Sequence, residues 1–138
     1  MRFLLFAAVL SAAEFIPIPP GEQSVKDAAT GFQVKVLTGA YLLGRTEVTQ
    51  QAYNRVMDKN PSHYKGLNRP VENISWHDAI VYSNRRSALD RLTPCYDLAT
   101  GRRRPQCTGF RLPTSAEWQN AFDKPAGDDG QSALTRRV

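Results

Sequence analysis

Apolar residues alternate with polar ones in the first third of the chain and fall at helical spacing beyond it. Phe15-Ile16-Pro17-Ile18, followed by Pro19-Pro20-Gly21, suits an edge strand that ends in a turn, because proline cannot donate to a sheet ladder. Residues 22–31 are polar and bounded by glycine, which predicts a loop. Phe32, Val34 and Val36 then alternate with Gln33 and Lys35, the period of a half-buried strand. A second strand over residues 41–48 follows the Thr38-Gly39 turn, and the pattern predicts that these two strands pair as a hairpin.

From Thr49 the period changes. Thr49 is placed to cap a helix whose one face carries Ala52, Tyr53, Val56 and Met57, and Asn60-Pro61 ends that pattern. A loop over residues 60–73 contains His63, Tyr64, Gly66 and Pro70. Ser75-Trp76-His77-Asp78 has the spacing of a capping box, with aspartate in the place of the usual glutamate. The inward face of that helix is expected to carry Trp76, Ala79, Ile80 and Ser83, with Arg85 and Arg86 toward its C-terminal end and Pro94 as a stop. Cys95 to Leu98, a turn at Ala99-Thr100-Gly101 and a basic return to Cys107 read as a small hairpin. Thr114-Ser115-Ala116-Glu117 is a second capping box, opening a short helix with Trp118, Ala121 and Phe122 as its apolar positions. Trp76 and Trp118 are expected to supply large apolar areas to the core. From residue 123 to 138 the periodicity is lost, which predicts a disordered tail. No internal repeat is present, and the coarse class is α+β with one modest domain over residues 14–122.

Composition agrees with a folded chain: 138 residues, 41% hydrophobic and 22% charged. The formal net charge of +5 is clustered at Arg85-Arg86, Arg102-Arg103-Arg104 and Arg136-Arg137. Nothing in the sequence gathers these clusters on one face with interleaved aromatics, so no nucleic-acid partner is expected and solvated arginines are the better reading. Met1-Arg2, the apolar run Phe3 to Leu10 and the small residues Ser11-Ala12-Ala13 have the parts of a secretory signal peptide over residues 1–13. The alternative is a buried first strand. The run is too short to span a bilayer, so export without a membrane span is the expectation. Cys95 and Cys107 are the only cysteines. In an exported protein they could close a disulfide contributing about 3 kcal/mol; in a reducing compartment they would stay two thiols.

Four phrases carry a resemblance: FIPIPPGE at 15–22, GRTEVTQQAYNRVM at 44–57, RPVENISWHDAIVYSNRRS at 69–87 and GFRLPTSAEWQNA at 109–121. In this order they resemble the formylglycine-generating (sulfatase-modifying factor) family, whose fold is C-type-lectin-like and rich in loops. RLPTSAEW is the most specific, close to the family's Arg-Leu-Pro-Thr-Glu-Ala-Glu-Trp, and PVENISWHDA matches its Pro-Val-x-x-Val-Ser-Trp-x-x-Ala. The resembling residues read as framework: Ser75 with Asp78 and Thr114 with Glu117 as caps, Trp76 and Trp118 as core, and Arg111 able to pair with a buried carboxylate.

The resemblance implies an oxidoreductase family that converts a sulfatase cysteine to formylglycine with oxygen and copper(I), and that also binds calcium. The family's copper-holding cysteines and calcium-binding segments lie downstream of the RLPTSAEW-like element, and neither Cys95 nor Cys107 corresponds to them. This chain is therefore expected to be a partial lectin-like domain without autonomous catalysis, carrying no catalytic, copper or calcium residue of its own. A non-catalytic module that binds a ligand or a protein partner, such as a sulfatase, is the alternative, with the basic hairpin 101–106 as its contact surface. His63 and His77 match no metal spacing, and neither a glycine-rich phosphate loop nor a Gly-x-Ser-x-Gly elbow is present. Asn73-Ile74-Ser75 is formally a glycosylation sequon, but Ser75 is better explained as a helix cap.

Overall fold

The computed structural model describes residues 14–123, and the signal-peptide expectation for 1–13 falls outside them. So does the expected tail, apart from Asp123, which closes the last helix. The described residues form two compact units, one from residues 46–112 and one from 14–45 together with 113–123.

The second of these units starts with four strands: β1 (Phe15–Ile18), β2 (Gly21–Lys26), β3 (Gln33–Thr38) and β4 (Tyr41–Gly44). β2 pairs with β3, and β1 pairs with β4, both antiparallel. The two ladders share one register, so they are a single long ribbon. Ile18 faces Tyr41 and Gly21 faces Thr38, which leaves Pro19-Pro20 opposite Gly39-Ala40. Neither proline has an N–H to donate, so the ladder is interrupted there. This corrects two expectations. Residues 22–31 are not a loop throughout, since β2 occupies most of them, and β3 pairs with β2 instead of with β4. The ribbon turns at Asp27, whose Oδ1 accepts hydrogen bonds from the N–H groups of Ala29 and Thr30 and from the Thr30 hydroxyl, while Gly31 supplies the positive φ of 74°.

Helix α3 (Ser115–Asp123) packs on β2 and β3 in the same unit. Its inward face is polar. Asn120 is fully buried; its Nδ2 donates to the Pro19 carbonyl at 3.1 Å, and its Oδ1 accepts from Gln23 Nε2 at 3.4 Å. A Cβ on Gly21 would lie 2.0 Å from Asn120 Oδ1, so only glycine lets the helix approach. That explains why β2 looks polar in sequence: its inward position Gln23 meets an amide, not an apolar side chain.

In the other unit, α1 (Gln50–Met57) is capped by Thr49, whose hydroxyl accepts from Ala52 N–H. It stops at Asp58 in the left-handed conformation (φ 55°), ahead of the expected Asn60-Pro61. α2 (Trp76–Leu89) follows a long loop. Tyr53, Met57 and Tyr82 form one core cluster joining the two helices, with the Tyr53 and Tyr82 rings stacked at 5.4 Å. The loop between them is held by buried Gln50. Its Oε1 accepts from Asn60 Nδ2 and Gly66 N–H, and its Nε2 donates to the Tyr64 carbonyl at 2.8 Å. α2 ends with Arg91 in the left-handed region and the Leu92 N–H donating to the Ser87 carbonyl, the Schellman closure that glycine more often supplies.

Past α2 the chain has little regular structure and leans on that helix. Asn84 Nδ2 donates to the Tyr96 carbonyl at 2.8 Å and Asn84 Oδ1 accepts the Tyr96 N–H at 3.0 Å. Ser87, fully buried, accepts the Phe110 N–H at 2.8 Å. Gly109 lies so close that a Cβ would meet Ser87 Oγ at 2.2 Å. A second core cluster, Ile80, Cys95 and Tyr96, closes beneath this contact. Replacing Asn84 with alanine leaves both Tyr96 backbone groups without partners and is expected to lower stability by about 2–3 kcal/mol in urea unfolding. A loss below about 0.5 kcal/mol, the level of an ordinary surface substitution, would remove the clasp from this role.

Candidate functional site

The hairpin after α2 is the most distinctive surface among the described residues. Cys95 and Cys107 are joined by a disulfide, with their Cα atoms 5.0 Å apart. Between them a single bridge pairs Tyr96 with Arg103, the Asp97 N–H donates to the Arg102 carbonyl, and the Arg104 N–H donates to the Cys95 carbonyl. Asp97 Oδ1 accepts from the N–H groups of Ala99 and Thr100, at 2.9 and 3.1 Å, and these bonds hold its carboxyl below the usual range. Gly101 (φ 71°) completes the turn. Arg102, Arg103 and Arg104 are all exposed.

Trp76 belongs to this surface and not to the core. It is 58% exposed, which overturns the expectation that it packs inward. Its place immediately after the cap Ser75 explains the outcome, since the inward stripe of α2 runs through Ile80, Ser83 and Ser87. The indole lies on Gly101, where a Cβ would come within 2.8 Å of Trp76 Cη2, and it meets the Tyr96 ring edge-to-face at 6.5 Å. Trp118 is also turned outward, at 49% exposed, and Phe122 with it. Along α3 the buried positions are Ala116, Glu117 and Asn120, so the expected apolar face is the outer one. Trp118 and Phe122, with Pro113 and Ser115, line a shallow open groove.

The caps have clear geometry. Ser75 Oγ accepts the Asp78 N–H at 3.1 Å, and Asp78 Oδ2 accepts the Ser75 N–H at 3.0 Å and the Ser75 hydroxyl at 2.6 Å. Asp78 Oδ1 also accepts from Lys59 Nζ at 3.2 Å. The serine hydroxyl first, then its N–H and Lys59, hold the Asp78 carboxyl down at about 2. Thr114 and Glu117 make the same exchange at α3, with Glu117 Oε2 accepting the Thr114 N–H at 2.8 Å. Arg111 Nη1 donates to the Leu112 carbonyl at 3.2 Å. His77 and His63 are exposed on different segments.

Copper(I) selects soft thiolates, and calcium needs several converging oxygens. Both cysteines of the chain are consumed by the disulfide, and no group of three or more His, Cys, Asp or Glu is gathered for a metal among the described residues. The described residues gather no ligand set that fits either ion. Sequence reasoning passed over half-buried Asn84 and the buried Gln50, Ser87 and Asn120, polar residues that tie the loops and strands to the helices. The available signal was weak: polar residues at inward helical positions.

The family model described as the sulfatase-modifying factor enzyme 1-like domain matches residues 5–134. The chaperone protein LppX of Paenibacillus barcinonensis is 38% identical, over 59% of this chain and 35% of that protein. Among solved structures, Treponema denticola variable protein 1 superposes with a TM-score of 0.65 at 32% identity, covering 79% of this chain and 51% of that one. The crystal structure of CarF gives a TM-score of 0.62 at 27% identity, covering 80% and 56%. The chain thus spans about a third of that curated relative and about half of these two structures. None of the described helices is long and apolar enough to cross a membrane.

The capping box on α2 makes a pH prediction. Asp78 has its pKa lowered from 3.8, so its stabilising contribution is complete above about pH 4 and is lost as pH falls toward 2. Replacing Ser75 with alanine should raise the Asp78 midpoint toward 3.8 in a carboxyl-carbon NMR titration. An unmoved midpoint would show that the serine does not hold the carboxylate.

Proposed function

Because the chain belongs to the sulfatase-modifying factor enzyme 1-like family, we propose that it is an exported, non-catalytic partner-binding module built on the family's α+β fold. The observation that carries this reading is the Cys95–Cys107 disulfide, which leaves the chain no thiol to donate to a soft metal or to an oxidation. Structural disulfides belong to oxidising compartments, which supports export together with the signal-peptide pattern of residues 1–13. One relative is named as a chaperone protein, and the binding reading takes support from that name. The basic hairpin, with Trp76 of α2 lying against its turn, is the surface such recognition would use.

A second reading stands on the family itself: the chain is part of an oxidoreductase that converts a sulfatase cysteine to formylglycine. On that reading the reactive groups come from residues outside those described here.

Thiol counting and product analysis separate the two. The purified protein should give no reaction with a thiol reagent in denaturant until it is reduced, and two thiols afterwards. Incubated with copper(I) and a cysteine-containing sulfatase peptide, it should produce no aldehyde detectable by mass spectrometry. Formylglycine in that peptide would replace the binding reading with the oxidase one.

A further inference from the structure

An exposed tryptophan is common enough; one held still is less so. The Trp76 indole is seated on the bare Cα of Gly101, with no room for a Cβ between them. The Tyr96 ring braces it from the side at 6.5 Å and an interplanar angle of 81°. Tyr96 is itself fixed by Asn84 through both backbone groups, and its hydroxyl accepts the Leu112 N–H at 3.0 Å. The Cys95–Cys107 bond closes the base of the hairpin that carries both Tyr96 and Gly101. Trp76 is more than half exposed to solvent even so. Covering an aromatic side chain that is already immobilised costs little further entropy, which is what makes such residues strong anchors of interfaces.

The charge beside it is one-sided. Arg102, Arg103 and Arg104 follow the glycine floor directly, and none of the three makes an ion pair among the described residues. The one carboxylate of the turn, Asp97, accepts from the N–H groups of Thr100 and Ala99 and feels the Arg104 charge only as a smaller influence. Guanidinium groups remain charged at all relevant pH and take carboxylates in bidentate fashion. The three consecutive arginines sit in one turn with one exposed tryptophan beside them. Surfaces for nucleic acid instead spread basic residues along a groove with several stacking aromatics.

We propose that Trp76 and the Arg102–Arg104 turn form a docking surface for a short acidic polypeptide segment, its carboxylates on the arginines and an aromatic side chain on the indole. The proposal rests on the binding-module reading and specifies its partner.

The test uses the full chain carrying Trp118→Phe, which leaves Trp76 as the only tryptophan. Its emission, excited at a wavelength that spares tyrosine, is followed while a glutamate–tyrosine copolymer is added. Parallel titrations use polyglutamate, heparin and single-stranded DNA. The copolymer should quench and shift Trp76 emission, with polyglutamate binding about tenfold more weakly for want of a stacking ring. Trp76→Ala, followed by fluorescence anisotropy of labelled copolymer, should weaken binding by about tenfold or more, as expected of an interface anchor. A triple change of Arg102, Arg103 and Arg104 to glutamine, all on exposed positions, should do the same without altering the thermal unfolding curve. Copolymer binding that neither variant affects would overturn the surface while leaving the module reading intact. Tighter binding of heparin or DNA than of the copolymer would overturn the partner class, and no binding of any probe would overturn the proposal outright. Formylglycine production in the sulfatase-peptide assay is the separate result that would remove the underlying reading.

Discussion

Asn84 grips the N–H and the carbonyl of Tyr96 together, and the irregular chain beyond α2 holds its course because of that two-point contact. A neighbouring strand would ordinarily satisfy both groups; here one amide side chain on a helix takes its place. Ser87, one turn further on, accepts the Phe110 N–H and needs Gly109 bare to do so. The disulfide then fastens the hairpin between these two contacts. Remove the helix's polar face and the hairpin keeps its own bridge and covalent staple but loses its hold on α2.

The same device recurs in the other unit. Asn120 on α3 ties to the Pro19 carbonyl and to Gln23, and Gly21 gives it room. Buried amides are tolerable only when satisfied, and then they fix one arrangement more sharply than an apolar contact can. They also release the large aromatics from core duty. Trp76, Trp118 and Phe122 are left outward, so in both units the residues best suited to recognition stand on a surface that does not need them for packing.

This division fits a family in which one framework is reused. The phrases that identify the family coincide with caps and helix starts, at Ser75–Asp78 and Thr114–Glu117. The cap residues Ser75, Asp78, Thr114 and Glu117 hold backbone in place. The fold is therefore recognised through parts that say little about activity. Between the cysteines, a disulfide-closed basic turn lies against a pinned tryptophan.

Local chemistry was legible in the sequence by itself. The helix starts at Thr49, Ser75 and Thr114, the edge strand at Phe15–Ile18 and the turn around Gly101 follow from hydroxyl caps, proline and glycine, which act within a few residues of themselves. The α+β class and the family follow from the same phrases. Tertiary structure alone decided which strands pair and which faces turn inward. β2 reads as loop because its inward partner is an amide of α3, some hundred residues away, and periodicity registers only apolar burial. The tryptophans read as core because hydrophobic size predicts burial, whereas Tyr53, Tyr82 and Tyr96 fill the interior of the unit that holds Trp76, and Ala116, Glu117 and Asn120 take the inward face of the helix that holds Trp118. A one-dimensional pattern states what each residue prefers; only the assembled fold settles which of them is granted it.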